Sequence, residues 1–177
     1  MATDSARSVL RVEGADRLRT IARQLRELGE GGREIRRRMT REMRRAGTEL
    51  VRAERAAVRA LPSKGESARR GRPGLRQAIA RATQLQVKTA GRNPLVRVWV
   101  NPKRLPDGQM MLPPYMEGER GASPWRHPVF GNSEVWVSQE PKPWFWRTAA
   151  RYRGNIDHAL LRALRDVEDE IRRRTGA

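Results

Sequence analysis

The sequence predicts an α+β fold: two N-terminal helices, the second one long, then a small antiparallel β-sheet, then a long C-terminal helix. Three observations point there. Apolar residues recur at steps of three and four in the first and last thirds of the chain, and they alternate singly around Val96, Val98 and Val100. All nine aromatic residues fall between Trp99 and Tyr152, so the first half is built from Arg, Ala and Glu, which favour helix. The two periods are those of a one-sided helix and of a half-buried strand.

Taken in order, Leu18, Ile21, Ala22, Leu25 and Leu28 form the first amphipathic stripe, and Gly29, Gly31 and Gly32 read as the turn that ends it. A second stripe runs through Ile35, Met39, Met43, Ala46, Leu50, Ala53, Ala57 and Leu61 and stops at Pro62. At 1.5 Å per residue this helix is roughly 45 Å long. The pairs Glu34–Arg38 and Glu49–Arg52 lie at spacings that support its outer face. From Pro62 to Gly74 the sequence PSKGESARRGRPG reads as an exposed loop that projects toward a neighbouring subunit, a partner or DNA. A short helix is expected from about Leu75 to Leu85, with Ile79 and Ala82 inward.

Gln86–Thr89 and Leu95–Val100 then flank Ala90-Gly91-Arg92-Asn93-Pro94, a hairpin pattern. Residues 101–133, punctuated by six prolines, read as a long irregular loop, and Glu134–Ser138 as a further short strand. The last helix opens near Pro143, with its stripe through Ala149, Tyr152, Ile156, Ala159, Leu160, Ala163, Leu164, Val167 and Ile171 and a possible bend at Gly154. At 177 residues the whole reads as one domain, 1–177.

Composition narrows the function classes. There is no cysteine, which removes disulfides and thiolate metal sites. No apolar run approaches the roughly 20 residues that span a bilayer, and Met1–Leu10 lacks the basic-then-apolar layout of a signal peptide. A soluble protein made inside the cell, with no membrane partner, is expected. The net charge is +18, and only four of the 38 basic residues are lysine. Such an excess suits a polyanion or an acidic protein surface, while the preference for Arg over Lys also fits a GC-rich genome. Leu, Ile, Val and Phe total 33 residues, just under the roughly 20% at which a charged chain struggles to fill a core. That predicts a chain that folds within an assembly, its neighbours supplying buried surface.

Catalytic and cofactor signatures are missing. His127 and His158 have no second ligand at metal spacing, and no nucleophile elbow, phosphate-binding loop or dinucleotide fingerprint occurs. Carboxylates on Arg-rich helices read as solvated ion pairs. The chain is therefore expected to be neither an enzyme nor a binder of metal or cofactor. Two sets of residues remain as candidates. Trp125, Phe130, Trp136, Trp144, Phe145 and Trp146 are candidate subunit contacts, because the chain looks too poor in core to hide five tryptophans. Arg69, Arg70 and Arg72, in a loop where all can reach one partner, are candidate contacts to DNA or to a partner protein. The runs Arg36-Arg37-Arg38 and Arg172-Arg173-Arg174 read as helix-surface charge.

The order of segments resembles the neck or tail-completion family of long-tailed bacteriophages, also described as head–tail joining or minor tail proteins. Val12-Glu13-Gly14-Ala15-Asp16 leads into a helix and a longer charged one. Gly74-Leu75-Arg76-Gln77-Ala78-Ile79 then resembles a Gly-Leu-Arg-x-x-Ile segment. Tyr115-Met116-Glu117-Gly118 partly matches a Tyr-x-Glu-x-Gly stretch, and Pro141-Lys142-Pro143-Trp144-Phe145 a Pro-x-x-Phe-like opening of the last helix. The likeness spans nearly the whole chain. Two departures are Arg72-Pro73-Gly74, where small-Thr-Gly is usual, and the long loop from Gly118 to Ser133.

The resemblance implies a virion protein at the head–tail junction, assembled in the host cytoplasm as a six- or twelvefold homo-oligomeric ring. Its partners would be head-completion (adaptor) proteins on one side and tail-terminator or tail-tube proteins on the other. Double-stranded DNA would pass through the channel, with most of the positive charge placed away from its axis. Ring contacts would be heterologous, one face meeting a different face of the next copy. The alternative, which rests on charge alone, is a basic nucleic-acid-binding protein of phage or bacterial origin.

Overall fold

The computed structural model describes residues 9–11, 15–62, 74–91, 93–118, 124–129 and 132–176. The fold is α+β and mostly helical, with two small antiparallel sheets and a long C-terminal helix. Strand β1 (Val9–Arg11) precedes helices α1 (Ala15–Glu27), α2 (Gly29–Ala60) and α3 (Leu75–Ala82). Strands β2 (Thr83–Lys88) and β3 (Leu95–Val100), helix α4 (Leu112–Glu117), strands β4 (Trp125–Val129) and β5 (Asn132–Gln139), and helix α5 (Phe145–Thr175) follow.

α2 is the spine. Its buried face is Gly32, Ile35, Met39, Met43, Gly47, Leu50, Val51, Glu54 and Val58. Up to Leu50 this follows the expected stripe except that Gly47 is buried in place of Ala46, which is half-buried. Beyond it the face turns to Val51, Glu54 and Val58, leaving Ala53, Ala57 and Leu61 half-buried, because the larger Val51 and Val58 displace the alanines from the core. α5 packs against α2 in the opposite direction: its C-terminal Arg174 lies against Gly31, and Ile156 and Leu160 meet Met43, Gly47 and Leu50 near the middle. Phe145, Ala149, Ile156, Leu160, Ala163, Leu164, Val167 and Ile171 are its buried face, and the helix continues without interruption through Gly154. α1 closes the bundle, with Leu18, Ile21, Ala22 and Leu25 buried and Arg17 paired with Glu168 of α5, Nε to Oε1 at 2.6 Å.

The α1–α2 corner is tighter than three glycines in a turn suggest. Only Gly29 takes a positive φ, +56°, while Gly31 and Gly32 belong to α2. Gly32 is small because the α1 backbone is in the way: a Cβ there would lie 2.0 Å from the carbonyl oxygen of Leu25. Gly32→Ala should therefore prise α1 from α2 and cost about 3 kcal/mol, as overpacking against unyielding backbone does. Gly31→Ala meets only the flexible Arg174 guanidinium and should cost well under half as much. Urea unfolding of the two variants measures the difference, and equal stabilities would show that the corner yields.

The three-stranded sheet has the order β1-β3-β2, all antiparallel, with Thr83 opposite Val100 and Lys88 opposite Leu95. The hairpin is thus longer than expected, and α3 ends at Ala82 rather than near Leu85. Thr83 turns the chain: its hydroxyl donates to the Ile79 carbonyl at 2.9 Å, and Thr-Gln-Leu-Gln-Val continues as strand against the whole of β3. Leu85 faces Gly47, so the sheet rests on α2 where a glycine opens space. The gap left between α2, β2, β3 and α5 is about 10 Å³, the size of one water.

The expectation of an irregular 101–133 is corrected. This stretch holds a 3-10 turn at Pro102–Arg104, helix α4 and strand β4. Four of its six prolines sit inside elements where they do not break structure: Pro102 in the first turn of the 3-10 segment, Pro113 and Pro114 in the first turn of α4, and Pro128 in a two-stranded ribbon. Of the expected loop at 62–74, residues 63–73 lie outside the described residues. Its ends are held together, since Arg76 donates to the Leu61 carbonyl and Arg59 Nε to Gln77 Oε1 at 2.9 Å.

Candidate interaction surface

The aromatic residues divide into three groups. Trp144 and Phe145 enter the core at the start of α5, 2% and 0% exposed, edge to face with ring centroids 5.5 Å apart. Trp125 is also buried, stacked on Tyr115 of α4 at 5.2 Å. These three fill the chain's own interior, which removes them from the candidate subunit contacts. Of the five tryptophans the chain buries two, Trp125 and Trp144, so it does not hide all five, but the two it hides are among those expected at an interface. Trp99 is half-buried beneath the Arg97 guanidinium, 4.3 Å from the ring centroid. Trp136 and Trp146 are the exposed pair, 53% and 42%. Phe130, Arg69, Arg70 and Arg72 lie outside the described residues.

Trp136 belongs to a ribbon. β4 and β5 pair with each other, Trp125 opposite Gln139 and Pro128 opposite Trp136, with an irregularity between Pro128 and Val129. They join no other strand, and their contacts to the remaining elements are marginal apart from the Trp125–Tyr115 stack. Every residue from Glu134 to Glu140 is exposed. Because successive side chains alternate faces, Val135 and Val137 present apolar surface on one side of β5 and Trp136 on the other. A lone two-stranded ribbon is marginally stable in water. This one has apolar residues on both faces, and beyond Trp125 at its root no described residue buries Val135, Trp136 or Val137. Its strands carry Arg126 against Glu134, no net charge, in a chain of net charge +18.

Beneath the ribbon's root lies a feature sequence reasoning missed. α5 begins without a capping side chain or an acidic residue in its first turn. The cap comes from α4 instead: Glu117, itself buried, accepts from the N–H groups of Trp144 and Phe145, both at 2.7 Å to Oε1, and of Trp146 at 3.4 Å to Oε2. Lys142 N–H to the Met116 carbonyl, 2.8 Å, fastens the approach. Near Glu117 sits Glu54 of α2, fully buried, neither carboxyl oxygen hydrogen-bonded among the described residues. Burial first and the Glu117 carboxylate second push its pKa up to about 9, so Glu54 is an uncharged acid at neutral pH. The signal was present, for Glu54 stands four residues from both Leu50 and Val58, on the buried face.

Other carboxylates pair with arginines of their own helix: Glu49 with Arg52 at 2.9 Å, Asp169 with Arg172 at 3.4 Å, and Glu170 with Arg173 and Arg174 at 2.6 and 2.7 Å. Hydrogen bonds from Arg173 and Arg174 lower the Glu170 pKa to about 2, and the hydrogen bond from Arg17 lowers that of Glu168. His158 is exposed on α5, and no cluster of His, Asp or Glu among the described residues could hold a metal ion. No described helix is long and apolar enough to cross a membrane.

The arrangement defines a helical α+β protein whose most distinctive surface is a projecting β-ribbon. No protein-family model, curated protein or solved structure matches the chain.

Proposed function

We propose that the chain is a structural subunit of the head–tail junction of a long-tailed phage, a neck or tail-completion protein that joins its own copies into a ring. The observation that carries this reading is the β4–β5 ribbon: apolar on both faces, exposed at Val135, Trp136 and Val137, and joined to no other described strand. Its occupant is a second copy of this chain. The described strands of the ribbon carry no net charge and the rest of the chain is strongly basic, so a ribbon seats on the body of a neighbour with less repulsion than two bodies meet each other. Such a contact is heterologous, and a heterologous contact whose rotation closes gives a ring. The order of segments, which resembles the neck and tail-completion family, supports the same reading and supplies the place in the virion.

The wild-type chain should form one discrete oligomer, six- or twelvefold, by light scattering. Val135→Ser, Trp136→Ser and Val137→Ser together should weaken association roughly tenfold or more while helical content stays constant. A wild-type chain that stays monomeric at high concentration, or a triple variant that assembles as well as wild type, would refute ribbon-mediated assembly. Electron microscopy of the ring with phage heads and tails then tests its location.

A further inference from the structure

We propose that the outer face of α2 between Arg37 and Arg45 is a binding surface for the phosphate backbone of duplex DNA, independent of base sequence. This does not rest on assembly into a ring. Arg37, Arg38, Arg41, Arg44 and Arg45 are all exposed. At 100° per residue they span about 120° of the helix circumference, a single face. Their guanidinium groups form no ion pair or hydrogen bond with a described residue, whereas Arg17, Arg19, Arg33, Arg52, Arg153, Arg172, Arg173 and Arg174 all have carboxylate partners. Eight arginines of α1, α2 and α5 are thus matched by a carboxylate, while in the middle of α2 five arginines along one face are matched by none among the described residues. Between residues 34 and 45 there are six arginines against two glutamates, Glu34 and Glu42.

The spacing favours a nucleic acid over an acidic protein. Five charges along nine residues cover about 12 Å, roughly one per 3 Å of axis. Duplex DNA carries one charge per about 1.7 Å. An acidic helix could match that density only over a few turns, whereas a duplex repeats it along its whole length. Within the face, Arg37–Arg41, Arg41–Arg45, Arg38–Arg41 and Arg41–Arg44 stand at neighbour spacings, where like charges destabilise a helix by a few tenths of a kcal/mol each. A polyanion relieves that repulsion and releases condensed counterions as it binds. Arginine suits the task because its planar fork meets phosphate oxygens in pairs.

The test uses the full-length chain and a duplex of about thirty base pairs of arbitrary sequence, with affinity measured across salt concentration. Replacing the five arginines with Gln keeps good helix formers on an exposed face. The slope of log affinity against log salt should fall by about 0.9 for each arginine that meets a phosphate, so by roughly 3 to 4.5 in all. The control variant, Arg172→Gln with Arg173→Gln and Arg174→Gln, removes paired charge from the end of α5 and should leave the slope nearly unchanged. An unchanged slope in the α2 variant would overturn the proposal. So would an equal loss per arginine in the control, which would reduce the effect to net charge. Tighter binding to poly-glutamate than to the duplex at the same salt would overturn it as well, in favour of an acidic protein.

Discussion

Glu54→Leu should raise stability by about 2 to 4 kcal/mol at pH 8, and more at pH 9 than at pH 5. The wild-type side chain is a fully buried carboxyl, its oxygens without hydrogen bonds among the described residues, beside the second buried carboxylate of Glu117. In the folded chain it keeps its proton to about pH 9, whereas unfolded it releases it near 4.5. Between those values the folded state binds the extra proton, so raising the pH favours unfolding by up to about 1.4 kcal/mol per unit. Its contribution is complete below the unfolded value and lost as pH rises through the folded one. Glu168 and Glu170 act oppositely, their lowered pKa values giving stability that disappears in acid. A maximum near pH 5 follows, with the melting temperature falling by roughly 10 °C toward pH 8. Glu54→Gln should flatten the alkaline limb and Glu54→Leu should flatten and lift it, because an apolar side chain removes the unmet carboxyl. Thermal melts at pH 5, 7 and 9 read this directly. Parallel profiles for wild type and Glu54→Gln would show that another group drives the pH dependence.

Glu117→Ala should be the most damaging single change at this end of the molecule, costing about 3 kcal/mol or more at pH 7. Three amide groups at the start of α5 lose their acceptor, and two of those hydrogen bonds are 2.7 Å long and made to a charged oxygen. The positive end of a 31-residue helix also loses its nearest carboxylate. Trp144 and Phe145 pack immediately behind, so near-ultraviolet dichroism and tryptophan fluorescence should change together with the urea midpoint. Glu117→Gln keeps one acceptor oxygen without the charge and should lie between. Removing Glu117 also relieves Glu54 of a repulsive neighbour. The double variant Glu117→Ala/Glu54→Leu should therefore differ from the sum of the singles by a measurable coupling. Strict additivity would show that the two carboxyls do not interact.

Much of the fold is legible in the order of residues. The stripes of α1, α2 and α5 are long enough for the helical period to dominate, and Val96, Val98 and Val100 mark β3 by alternation. Where the reading failed, the deciding interaction lies far along the chain. The prolines of 101–133 look like breakers until Pro113 and Pro114 are placed in the first turn of α4, which packs because Tyr115 finds Trp125. Burial of Trp125, Trp144 and Phe145 could not be separated from exposure of Trp136 and Trp146 by composition, since both groups share the same aromatic segment.

By itself the sequence determined that this is a basic, mostly helical α+β chain, because charge is additive and periodicity is local. Tertiary structure decided what no local pattern holds. It set Glu117 on the end of a helix that begins 28 residues later and placed the neutral acid Glu54 in the core. It also left Val135, Trp136 and Val137 exposed on one ribbon and one row of arginines without carboxylates among the described residues. A hydrogen bond, a desolvated proton and an unmatched surface each depend on which groups meet in space, and that is fixed only when the chain has folded.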